Sequence, residues 1–317
     1  MFNERVYFDN AASSFPKPEN VIRAVNENLR KNTSNPGRSG HRLSVEAAEE
    51  IFNARETVSD FFGCDTEKVV FTKNATESIN MLLSGSLHRG DHVIISNLEH
   101  NSVTRPLTSY AARGVTFDIA DSDDMENSVR SLINPSTKMV FTTAVSNVTG
   151  QRLPLKKLGE IAHKHGLLFG TDASQAAGHF RIDMKKTGID YLCTSGHKGL
   201  YGIQGSGLLL INSAPPSPLL FGGTGTQSLD PYQPEILPES LESGTVNTPA
   251  IISLSEGIKF LNNNPNNSYL EHELVRYAVH RLAGDERITL YSNTDSVGIV
   301  SFNVKGSDSQ EVSAYLN

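Results

Sequence analysis

Lys198 is the residue of this chain best placed to act as a reactive amine. It stands in the run Thr194–Gly207, TSGHKGLYGIQGSG, between two apolar stretches, Tyr191-Leu192-Cys193 and Leu208-Leu209-Leu210-Ile211. The pattern predicts a strand, a glycine-rich loop and a second strand. Glycine permits positive φ and close approach of a ligand, so such a loop can hold an amine against a bound molecule. A second reactive group, Asp172, follows the apolar run Leu167-Leu168-Phe169 and opens Asp172-Ala173-Ser174-Gln175. Taken singly, each has a plainer explanation. A loop lysine is ordinarily a solvated charge, and an aspartate after a strand is ordinarily a turn or cap residue.

Together they suggest more. A lysine amine condenses with a carbonyl, and a carboxylate keeps a pyridine nitrogen protonated. That is the pair that pyridoxal phosphate (PLP) needs to accept electrons from a substrate.

The elements that would position these groups alternate in type. Val69-Val70-Phe71 predicts a strand that runs into Asn74-Ala75-Thr76-Glu77, after which Ile79, Leu82 and Leu83 mark a helix. A helix N-terminus offers free amides and a positive dipole end to a phosphate, although the same motif alone would be an ordinary cap. His92–Ile95 predicts a strand delivering Glu99-His100-Asn101-Ser102, and Lys138–Phe141 one ending at Ser146–Gly150, which includes Asn147. Val115–Ile119 is a further strand, and Pro154 to Gly166 bounds a helix. Short apolar strands alternating with amphipathic helices predict an α/β fold, a largely parallel sheet covered on both faces. Ligands of such sheets sit at the carboxyl ends of the strands, where these motifs fall.

Outside this core, Val6-Tyr7-Phe8 is expected to be a short strand. Residues 16–32 are expected to form a helix with Val21, Ile22, Val25 and Leu29 on one face. The polar loop 32–41 carries Arg38 and His41. Ser44 is expected to cap a helix whose apolar positions include Val45, Ala48, Phe52 and Val58 and which stops at Gly63. The Pro- and Gly-rich stretch 215–238 is a long functional loop. Thr248 followed by Pro249 starts another helix. A helix over 268–282, strands near 289–291 and 298–303, and a helix from Ser309 complete the pattern. The expected division is a segment 1–20 serving the site, a large domain over 21–261, and a smaller α+β domain over 262–317.

Taken in order from Tyr7-Phe8-Asp9-Asn10-Ala11-Ala12 to Glu242-Ser243-Gly244-Thr245-Val246-Asn247, these motifs resemble the class V aminotransferase family of fold-type I PLP enzymes. Within it they most resemble the cysteine desulfurases and selenocysteine lyases. The resemblance implies a mostly parallel seven-stranded sheet and removal of sulfur from cysteine, or selenium from selenocysteine, to give alanine. It implies that Lys198 forms the Schiff base, that Asp172 pairs with the pyridinium, and that His100 stacks on the ring and moves protons with Lys198. Gln175 would donate to the ring hydroxyl oxygen. Ala75, Thr76, Ser195 and His197 would hold the phosphate, with Thr245 supplied by the second subunit of a homodimer. Ala11, Asn147 and Arg38 would lie at the substrate, Asn147 also touching the cofactor. A sulfur-acceptor protein is an implied partner. The family's nucleophilic cysteine and carboxylate-binding arginine cannot be placed, and the chain is expected to be a truncated member. A transaminase, epimerase or lyase of the same superfamily, or a dimeric binding protein without catalysis, would carry similar ring-end motifs.

Composition narrows the classes further. The chain has 317 residues, 38% hydrophobic and 20% charged, with a net charge of −7. An acidic balance, with a pI near 5.8, argues against nucleic acid or an anionic membrane as the main partner. No signal-peptide core or membrane-length apolar run is present, so the cytoplasm is the expected location. The two cysteines, Cys64 and Cys193, have no metal-ligand spacing, and no metal is expected.

Overall fold

The computed structural model describes residues 6–37, 40–225 and 229–316. Seven strands form one sheet: β1 (Val69–Thr72), β2 (His92–Ser96), β3 (Thr116–Ala120), β4 (Thr137–Thr143), β5 (Leu168–Asp172), β6 (Tyr191–Ser195) and β7 (Gly207–Ile211). Their spatial order is β1-β7-β6-β5-β4-β2-β3. Every neighbouring pair is parallel except those made by β7, which runs antiparallel to both β1 and β6.

Alternate residues along the strands face two separate cores. Phe71, Ile94, Val140, Phe169, Leu192 and Leu208 enter one. Val70, Ile95, Met139, Phe141, Cys193 and Leu209 enter the other. The period-two pattern of a buried sheet thus covers both faces. Helices α3 (Ala75–Ser86) and α4 (Asn101–Tyr110) pack on the second face. Helices α2 (Arg42–Phe62), α5 (Met125–Leu132), α6 (Leu155–Lys164) and α8 (Thr248–Asn263) pack on the first, and α1 (Glu19–Lys31) lies against α8. A four-residue helix, α7 (Met184–Thr187), precedes β6. Beyond α8, α9 (Asn267–Ala283), α10 (Ser309–Leu316) and an antiparallel pair, β8 (Ile288–Leu290) and β9 (Phe302–Val304), follow.

Several expectations need correction. Residues 6–8 form no strand; the segment is irregular and exposed. Ser44 is not the cap of α2. His41 is, its Nδ1 accepting from the Ser44 amide at 3.2 Å. Helix α2 buries Ala47, Ile51, Ala54 and Val58, while Val45 and Phe52 are exposed. Its apolar residues occupy more than one face, and packing against α8 selects the stripe through Ile51. In α1, Val21 is buried but Ile22 and Leu29 are exposed. Helix α8 is capped by Asn247, one residue before Thr248.

The antiparallel β7 shapes the site. Gly207, its first residue, pairs with both Thr72 of β1 and Ser195 of β6. A Cβ at Gly207 would stand 2.6 Å from the Asn74 backbone, so only glycine lets the turn into α3 lie against this strand.

Candidate active site

The carboxyl ends of β1, β4, β5 and β6 open into one cleft with about 390 Å³ of empty space. Ala75, Thr76, His100, Asn147, Asp172, Gln175, Ser195 and Lys198 all line it, together with Ser102, Thr143, Val145 and Ser174. Eight of the positions singled out in the sequence therefore meet at one place.

Asp172 ends β5 in register with Thr143 and Cys193. Its Oδ1 accepts the Ser174 amide at 2.9 Å, which fixes the carboxylate at the cleft floor. Lys198 follows β6. Burial lowers the pKa of its ammonium, and the negative charge of Asp172 opposes part of that shift. At the cleft's other end, Asn74 caps α3 by accepting the Glu77 amide at 2.9 Å, and the Ala75 amide donates to Ser195 Oγ at 3.3 Å. The helix start thus points amides and two hydroxyls, Thr76 and Ser195, at the same space. His100 caps α4; its Nδ1 accepts from the Ser102 amide at 3.1 Å, which leaves Nε2 as the protonated nitrogen of the neutral ring.

The other expected residues fall elsewhere. His197 does not line the cleft; its Nδ1 meets Ser13 Oγ at 3.2 Å, and burial lowers its pKa, helped by the charges of Lys198 and Lys17. Ala11 touches the site only through its carbonyl, which accepts from Gln175 Nε2 at 2.9 Å. Thr245 is exposed and outside the cleft of its own chain, with Asn35 Nδ2 donating to its hydroxyl at 3.3 Å. Arg38 lies outside the described residues. Both thiols are held protonated. Burial pushes Cys64 up to about 12 and raises Cys193 well above its ordinary value.

Three features escaped the sequence reading. Glu242 lies in the segment that carries Thr245, and its side chain is enclosed within its own chain. Its carboxylate takes Arg55 in a fork at 2.8 and 2.9 Å and the Phe71 amide at 2.7 Å. Arg55 also donates to the Val69 carbonyl and lies 4.6 Å over the Phe71 ring. Glu99 braces the cleft wall: its Oε1 accepts from Ser96 Oγ at 2.5 Å and the Thr143 amide at 2.6 Å. Its Oε2 is enclosed without a hydrogen-bond partner among the described residues, and burial pushes the carboxyl up to about 8. The third is Lys17, whose Nζ reaches the His197 carbonyl at 2.9 Å.

The donor set fits PLP. A helix N-terminus with hydroxyls suits a dianionic phosphate, a buried carboxylate suits a pyridinium, and a desolvated lysine suits an aldehyde. No group of acidic, histidine and cysteine side chains among the described residues could hold a metal.

Comparison with known proteins agrees. The family model for aminotransferase class-V matches residues 6–317. The chain belongs to this family. A probable cysteine desulfurase of Methanothermobacter thermautotrophicus is 31% identical over 100% of the chain and 82% of its own length. The apo structure of a cysteine desulfurase from Thermococcus onnurineus superposes with a TM-score of 0.93 at 34% identity, covering 99% of this chain and 82% of the other. A cysteine desulfurase from Escherichia coli, seen with an S-sulfonic acid, gives 0.87 at 28% identity, covering 98% and 81%. The seven-stranded, mostly parallel sheet with flanking helices is thus the fold of these PLP enzymes.

Proposed function

We propose that this chain is a PLP-dependent cysteine desulfurase, acting on cysteine or selenocysteine and leaving alanine. The observation that carries this is the convergence of Lys198, Asp172, His100 and the α3 N-terminus on one cleft. Relatives named cysteine desulfurase, matching nearly the whole chain, support the substrate class.

When bound, PLP supplies an electron sink conjugated to the substrate's α-carbon. The protein's part is to hold, orient and move protons. Ala75, Thr76 and Ser195 would bind the phosphate at the helix start. Asp172, kept in place by the Ser174 amide, would face the ring nitrogen as an anion. Gln175 would donate to the ring hydroxyl oxygen with the amide hydrogen not given to Ala11. Lys198 Nζ, shifted toward the neutral amine by burial, would attach the cofactor and later take and return the substrate's α-proton. His100 would stack on the ring and move protons with Lys198. Asn147 would orient the substrate carboxylate.

The thiolate that takes the sulfur is neither cysteine of this sequence. Both are held protonated, and Cys193 is packed inside the sheet. The acceptor thiol therefore comes from outside these residues. Thr245 is assigned to the cleft of a second copy in a homodimer, since it is exposed and does not line its own. Residues 262–317 are assigned to a smaller domain that would close over the substrate.

The test is direct. Borohydride reduction of the PLP-loaded protein should leave the label on Lys198 in a peptide map, and cysteine should yield alanine and sulfane sulfur in equal amounts once an acceptor thiol is supplied. Label on a different lysine, or turnover without alanine, would reject the assignment.

A further inference from the structure

Ser14 and Lys17 stand 184 and 181 positions before Lys198, yet both meet the backbone carbonyls of His197 and Lys198, Lys17 reaching the second through Ser14. The carbonyl of His197 belongs to the peptide unit before the Lys198 Cα, and the carbonyl of Lys198 to the one after it. The N-terminal segment holds both. Lys17 Nζ donates to the His197 carbonyl at 2.9 Å and to Ser14 Oγ at 2.8 Å. Ser14 Oγ in turn donates to the Lys198 carbonyl at 2.9 Å, while the Ser14 amide donates to the His197 carbonyl at 3.2 Å. One ammonium therefore reaches both flanking carbonyls, one directly and one through a hydroxyl. Behind the loop, a Cβ on Gly199 would stand 2.3 Å from the Ala177 carbonyl, and one on Gly178 would stand 2.1 Å from the Gly199 carbonyl. The lysine backbone is thus gripped on one side by the strap of residues 11–17 and backed on the other by glycine-close main chain.

We propose that Lys17, with Ser14, is a positioning residue for the covalent chemistry of Lys198. It presents the Lys198 amine to the cofactor's carbonyl without touching the cofactor's phosphate or ring. A hydrogen bond from a charged donor is among the stronger ones available to a partly buried carbonyl. The Lys17 side chain is half-buried, and burial pushes its ammonium down to about 8. Gln175, through the Ala11 carbonyl, ties the same strap to the ring end of the cleft.

This inference rests on the assignment of Lys198 as the attachment point. The experiment separates the two by comparing PLP with pyridoxine 5′-phosphate. The latter has the same phosphate and ring but an alcohol in place of the aldehyde, so it cannot condense with an amine. The full chain is expected to bind both, and the excess affinity for PLP then measures the covalent step. K17M is expected to lower PLP affinity about tenfold and leave pyridoxine 5′-phosphate affinity unchanged. K17R is expected to recover most of the loss, and S14A to show a smaller loss of the same kind. K198A should abolish the excess entirely. If K198A leaves the excess intact, Lys198 is not the attachment point and both assignments fall. If K198A removes it while K17M changes neither ligand, or weakens both equally, Lys198 stands and the role of Lys17 is overturned. Binding of pyridoxine 5′-phosphate also shows that each variant is folded.

Discussion

The cleft and the surface under Thr245 are each braced by a glutamate whose carboxyl is enclosed, and the two carboxyls are neutralised in opposite ways. Glu242, under the Thr245 segment, faces Arg55 in a two-pronged ion pair, with both side chains only 8% exposed. Glu99, behind the cleft wall, has no cation beside it among the described residues and keeps a proton instead, its pKa pushed up to about 8. The first solution adds a fixed dipole and a rigid joint between α2, β1 and the 242–247 segment. The second adds no net charge to the wall beside Asp172. A buried carboxyl can brace a catalytic wall without competing for the cofactor's positive charge, provided it is protonated.

The sharpest way to break this comparison is at the ion pair. R55M leaves Glu242 buried without its cation and should destabilise the chain by about 3–5 kcal/mol, read from the denaturant midpoint. Adding E242L should recover most of that loss, because paired removal leaves no orphan charge. If R55M alone is neutral, the pair is not the joint described.

The next largest effect is the pH response of Glu99. Its folded pKa lies above the ordinary carboxyl value of about 4.3. The folded chain therefore keeps this proton where the unfolded chain has released it. The associated stability is fully present below about pH 4, declines as pH rises, and is lost above about pH 8. E99Q keeps the shape without the titration. The stability difference between E99Q and the parent should shift in favour of E99Q by a few kcal/mol, on the order of the shift itself, between pH 4 and 8. A pH-independent difference would mean that Glu99 is ionised in the folded chain.

The smallest effect concerns Thr245. T245A should leave the denaturant midpoint of the chain nearly unchanged, since among the described residues its hydroxyl has only a long, exposed contact with Asn35. It should weaken PLP binding by roughly five- to tenfold, the value of one hydrogen bond to a charged group, and only at concentrations where the chain is dimeric. An equal loss in the monomer would return Thr245 to its own cleft.

How much of this could be read from the sequence depended on separation along the chain. Lys198, Asp172, His100 and the Asn74–Glu77 turn were legible because each sits in a local strand-loop pattern that repeats the same grammar, and the sheet then brings the strand ends together. The alternation of strands and helices was legible for the same reason. The side on which α2 buries itself was not. Val45 and Phe52 make as good a stripe as Ile51 and Ala54, and only packing against α8 decides. Arg55 and Glu242 are 187 positions apart, so neither looks unusual in its own neighbourhood. Lys17 reads as a solvated charge near a proline, and nothing around it names His197. Glu99 was passed over because the histidine beside it has the more familiar chemistry.

The strap that holds Lys198 is also made long before its partner. Ser14 and Lys198 are 184 positions apart, which at ~5–20 residues per second of synthesis is roughly ten to forty seconds. For that interval the strap has nothing to grip, and Phe8 and Phe15, still 91% and 58% exposed in the finished chain, have no sheet to lie against. It can join only after β6 and β7 have paired and the lysine loop between them has its shape. The strap, made well before the lysine loop, is therefore among the last segments to find its place, and Lys198 gains its final hold only when the two ends of this long interval meet.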